Sequence, residues 1–189
     1  MAKAFRRTKS GIAVNLSEGE RSILASAFTD TAQLLAPETD ASEDPLTALV
    51  GITEDAELPA DPALARLLPD GRRDSAEDAD EFRRYTERGL RERKIANIQT
   101  AVFTLKRSDP LVLAEPEAQA WVVALGDVRL VVAQRLGIET EADLDALEEL
   151  NEAEEDDPRG MIMAVYDFLS WLQESLVGVL LASLPDDKD

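Results

Sequence analysis

The stretch PEAQAWVVALGDVRLVVAQRLG, residues 116–137, decides the fold. Trp121, Leu125, Val128, Val132 and Leu136 recur at the spacing of one helix face. Val122, Val123, Leu130 and Val131 cover the remaining faces, so the pattern predicts a helix buried nearly all round. Pro116 suits its first turn, where the missing N–H has no intrahelical partner. Gly137 suits the left-handed position just past its end. A helix this apolar belongs at the centre of a helical domain.

Working outward, residues 4–8 and 11–16 flank Lys9-Ser10-Gly11 and predict an N-terminal hairpin, with Ile12, Val14 and Leu16 alternating at period two. Leu111, Val112 and Leu113 predict a short strand whose natural partner is the hairpin's open edge. Ser17 and Glu20 have the spacing of a capping box. Ile23, Leu24, Ala27, Phe28, Ala32, Leu34 and Leu35 give the helix that follows an apolar face, and Pro37 stops it. Asp44-Pro45, Asp61-Pro62, Glu115-Pro116 and Asp157-Pro158 each mark a helix start. Short helices are expected over 45–50 and 62–68, and a long one over 76–105 with Phe82, Thr86, Leu90, Asn97, Ala101 and Leu105 on its stripe. Thr140 caps an acidic helix bearing Leu144, Leu147 and Leu150. Pro158 opens a last helix whose expected seam is Met161, Val165, Phe168, Leu172, Leu176 and Val179, with Tyr166, Trp171, Val177, Leu180 and Leu181 making it apolar elsewhere. The expected fold is mainly α: one domain, 1–189, with a small antiparallel sheet formed by the N-terminal hairpin and one short internal strand. Residues 37–80 read as loop-rich and 151–157 as a mobile acidic loop.

The 189 residues include no histidine and no cysteine. That excludes Ser-His-Asp and Cys-His catalysis, structural zinc, haem on histidine or cysteine, and disulfides. Acids outnumber bases 39 to 20, for a net charge of −19. Such a chain repels nucleic acid and anionic lipid at long range. No run of about 20 apolar residues offers a membrane span. The acid run 152–157 lacks the alternating ligands and central glycine of a calcium loop. No metal and no cofactor are expected, and the cytoplasm is the expected location.

The densest basic segment is Arg83, Arg84, Arg88, Arg91, Arg93 and Lys94. It reads either as a surface for an acidic partner segment or phosphate, with Arg83, Arg84, Arg88, Arg91 and Lys94 in contact, or as an ordinary solvated face. The pairs Arg83–Glu87, Glu87–Arg91 and Arg88–Glu92 support the second reading, at about 0.3 kcal/mol each. Asp127, Arg129, Asp167 and Glu174 lie within the two most apolar helices and are expected to be structural, with Arg129 paired to Asp167 or Glu174. The alternative is an acid–base site built from Asp127, Asp167, Glu174 and Tyr166. Trp121 and Trp171 are expected to anchor the core. An exposed second face on the last helix would make a homodimer through Trp171, Leu180 and Leu181.

The segment 61–69, residues 81–84 continuing to 94–97, the stretch 121–137 with its Asp127-Val128-Arg129-Leu130 and Arg135-Leu136-Gly137, and Tyr166-Asp167-Phe168-Leu169 followed by 171–176 resemble an uncharacterised actinobacterial family, a domain of unknown function. The resemblance carries no activity. It implies a gene often found beside that of the ClpS adaptor, and some members are labelled transcriptional regulators. The expectation is therefore a non-enzymatic protein acting by protein–protein interaction, regulatory and tied to Clp proteolysis. The alternative is a DNA-binding regulator of winged-helix type, with Arg6, Arg7 and Lys9 on the wing. Nucleic acid is the less expected partner, given the charge.

Overall fold

The computed structural model describes residues 3–37, 59–69, 76–153 and 158–182. In chain order the elements are β1 (Lys3–Thr8), β2 (Gly11–Asn15), α1 (Glu18–Leu35), α2 (Pro62–Leu67), α3 (Ala76–Leu105), β3 (Leu111–Leu113), α4 (Glu115–Leu136), α5 (Glu141–Ala153) and α6 (Pro158–Leu181). The mainly α fold with its small sheet is as the periodicity requires. The expected helix over 45–50 and the acids 154–157 lie outside the described residues. Residues 151–153, expected in the acidic loop, instead continue α5 to its end.

The sheet has the order β1-β2-β3, antiparallel throughout. Arg6 faces Ala13 and Thr8 faces Gly11, with a bulge between Lys3 and Arg6; Ile12 faces Leu113 and Val14 faces Leu111. The internal strand thus takes the hairpin's open edge, as that edge demands. Gly11 is required here. Its φ is +137°, and a Cβ would stand 2.4 Å from the Leu113 carbonyl oxygen.

Local chemistry sets the helix starts. Ser17 Oγ accepts from the Glu20 N–H at 3.3 Å while Glu20 accepts from the Ser17 N–H at 2.8 Å, closing the capping box of α1. Asp61 caps α2 by accepting from Ala63 and Leu64. Ala114 has no side chain to offer α4, so only the reciprocal half forms there, from its N–H to Glu117 at 2.8 Å. Gly137, at φ +76°, closes the far end of α4.

Helix α4 is the hub, packed against α3 and α6, with α2 and α1 also in contact. Its Trp121 is fully buried, meeting Phe5 of β1 and Phe28 of α1 edge-on at 6.1 and 5.6 Å. The indole N–H donates to Thr104 Oγ1 of α3 at 2.8 Å, so the one polar atom of the ring is satisfied. Three corrections to the expected burial follow. Val123 and Leu130 leave α4 exposed on one side. The seam of α6 is Met163, Leu169, Leu172 and Leu176, leaving Met161 exposed. Trp171 is not a core anchor: it is 39% exposed and stacked on Phe168 at 6.4 Å. Helix α6 is so apolar on every side that its period could not tell which face would find a neighbour.

Candidate functional site

The basic segment of α3 divides on folding. Arg88 is exposed and bonded to Glu92 at 3.1 Å. Arg93 is exposed too. Arg91 turns inward: it holds Glu87 at 2.7 Å and donates to the Leu35 carbonyl at 3.1 Å, closing the end of α1. Arg83 is buried. The side chain of Arg84 lies outside the described set. Lys94 crosses to α4 and forms an ion pair and hydrogen bond with Asp127, both side chains largely shielded from water. Of the five expected contact residues, only Arg88 is placed on the surface with a described side chain. Lys94 and Arg91 serve helix–helix packing. A signal for Lys94 was present, because Leu90, Lys94, Ile98, Ala101 and Leu105 form one continuous helical stripe.

Burial pushes the Asp127 carboxyl above its ordinary value, and the Lys94 ammonium pulls it back. Its Oδ2 is buried and accepts no hydrogen bond from a described residue. Two residues on, Arg129 leaves α4 toward α6. It donates to Gln173 Oε1 at 2.6 Å and lies 5.5 Å over the Tyr166 ring. The expected partners, Asp167 and Glu174, are not used. Gln173 is the residue that sequence reasoning missed, and it works twice, since its amide N–H also donates to the Val122 carbonyl at 3.0 Å. Gly126 makes room for it, a Cβ there standing 3.0 Å from Gln173 Nε2.

Asp167 and Glu174 are exposed on α6. Partial burial raises the pKa of Asp167, with no cation in play. Asp127 is turned to α3, so the structure does not bring these carboxylates together, and no group of three metal-ligating side chains occurs among the described residues.

Charge is segregated along the chain. Lys3, Arg6, Arg7 and Lys9 of the hairpin precede the first acid, Glu18. All four are exposed; Arg6 bonds Asn15 at 3.3 Å and Arg7 reaches Glu115 only at 3.9 Å. Below the hairpin, Asp109 gathers Asn15, the Leu16 N–H and Arg21, at 2.8, 3.2 and 3.2 Å. The Asn15 hydrogen bond does most to hold its carboxyl below the usual range, with Leu16 and Arg21 adding to it.

A family model described as "Domain of unknown function (DUF2017)" matches residues 2–180. The chain belongs to this family. It is similar to a protein of Mycobacterium leprae (strain TN) named "Putative oxidative stress regulator AosR", with 34% identity over 161 residues, 77% of this chain and 71% of that one. No solved structure matches. No helix among the described residues is long and apolar enough to cross a membrane.

Proposed function

We propose that this member of the family is a regulatory protein of the cytoplasm that acts by binding another protein and catalyses no reaction. The observation that carries the reading is the fate of its reactive groups. With no histidine or cysteine, chemistry near neutrality falls to carboxylates, lysine, tyrosine and hydroxyls, each needing a specially built environment. The shielded carboxylate and lysine, Asp127 and Lys94, neutralise each other inside the helix packing. The regulatory half of the reading is supported by the name of the mycobacterial relative. If this chain takes part in an oxidant response, it does so without a thiol of its own. A tie to Clp proteolysis is part of the proposal and is supported only by the gene neighbourhood that the family resemblance implies.

The test is affinity purification from the native cell with mass-spectrometric identification of partners, comparing wild type with Arg88→Glu. The expected result is a specific partner retained at matched expression; loss of that partner in the variant places its contact on α3. Turnover of a defined metabolite by purified protein, abolished by Asp167→Asn, would overturn the reading. A second reading, DNA binding, is favoured by the basic hairpin Lys3, Arg6, Arg7 and Lys9. It predicts a salt-dependent mobility shift with genomic fragments, lost on reversing these charges.

A further inference from the structure

Nine large apolar side chains stand exposed among the described residues, and six of them, Val123, Leu130, Met161, Ile162, Trp171 and Leu181, belong to the packed pair α4 and α6. On α6 the outward positions follow a seven-residue repeat, with Ala164, Trp171 and Gly178 on one line and Asp167, Glu174 and Leu181 on the next. That order is nearly palindromic about Trp171. If two copies of α6 run antiparallel with a twofold axis at Trp171, Met161 meets Leu181, Ala164 meets Gly178, and Trp171 meets its own counterpart. Small residues thus stand opposite each other on either side of the ring, and Gly178 has open space over it.

Charge selects the same partner. The Phe5 N–H donates to Ser175 Oγ at 3.3 Å, which lays β1 along α6 at residue 175. In the antiparallel pairing, residue 175 of one copy faces residue 167 of the other. Asp167 bonds to no described residue, and Lys3 of β1 is exposed and forms no ion pair with a described residue. We propose that a second copy of this chain covers the exposed face of α6, antiparallel about Trp171, with Lys3 of each copy answering Asp167 of the other. The proposal rests on the reading of a protein that works through its surface, and names one partner for that surface. A stable interface buries about 800 Å² per partner, and one helix face about 36 Å long supplies less, so the expected dimer is weak and concentration-dependent.

The absence of native cysteine makes introduced thiols unambiguous reporters. Under mild oxidation Trp171→Cys is expected to cross-link symmetrically. Ala164→Cys and Gly178→Cys are expected to cross-link when mixed and not alone, because each lies about 21 Å along the helix from its own counterpart. In sedimentation equilibrium the wild-type mass rises toward the dimer, while Gly178→Leu, placed in open space, keeps its thermal melt and stays monomeric. Asp167→Lys weakens association about tenfold, and adding Lys3→Glu restores it. A wild-type chain still monomeric at about 100 μM overturns the proposal. So does Trp171→Cys cross-linking no faster than a control Ser22→Cys on exposed α1, or Ala164→Cys pairing with itself as readily as with Gly178→Cys. Any of these failures leaves the binding of a heterologous regulator partner standing, since partner capture reads that separately.

Discussion

Trp121 and Trp171 each sit within a long apolar helix, yet one is sealed and the other is partly exposed. Around Trp121 three elements converge, and each supplies what the ring needs: edges from Phe5 and Phe28, a hydroxyl from Thr104. Around Trp171, among the described residues, Phe168 of the same helix makes the one ring contact. The difference lies in what surrounds the helices. Helix α4 has neighbours on most sides, whereas among the described residues α6 packs mainly on α4 and β1.

The sharpest way to break this contrast is to truncate both rings. Trp121→Ala is expected to lower stability by about 3–5 kcal/mol in denaturant titration, whereas Trp171→Ala in dilute monomer, losing a partly covered ring and its stack on Phe168, costs less, about 1–2 kcal/mol. Equal losses would dissolve the distinction. The charges obey the same division. Asp127→Ala strands Lys94 in the α3–α4 interface and is expected to cost about 3–5 kcal/mol, while Lys94→Met with Asp127→Leu recovers most of it. Asp167→Ala, on the open face, should leave the monomer's melting midpoint unchanged. Thr104→Val keeps the shape beside Trp121 but leaves the indole N–H unpaired, a loss of about 1–3 kcal/mol in chemical unfolding.

The smallest effect concerns pH. Arg107 grips Glu117, with Nη1 at 2.9 Å, and holds its pKa below the ordinary 4.5. Stabilisation from this pair is complete above that ordinary value and is lost as the pH falls through the lowered folded one. Acid unfolding of Arg107→Ala is expected to show a shallower pH slope in that window than wild type.

Much of the fold was legible because its signals are local. The stripe of 116–137, the Ser17–Glu20 box and the Asp61-Pro62 start each state their own geometry. The site was less legible. Arg83 to Lys94 looks like one basic surface in the sequence, but the turn of α3 sends Lys94 to Asp127 and Arg91 to the end of α1. Arg129 chose a neutral amide over two nearby carboxylates, because Gln173 lies on the face of α6 turned to α4 while Asp167 and Glu174 point away. Such pairings depend on how two helices are rotated against each other, which one-dimensional spacing does not contain.

The placement of β3 has a consequence for the protein's birth. Its partner β2 ends at Asn15 and β3 begins only at Leu111, so in synthesis the hairpin precedes the strand that covers its edge by nearly a hundred residues. Throughout that interval a nascent hairpin carries one bare side, with Ile12 and Val14 uncovered. Lys3, Arg6, Arg7 and Lys9 put four positive charges on that hairpin, and like charges oppose edge-to-edge pairing of two such hairpins.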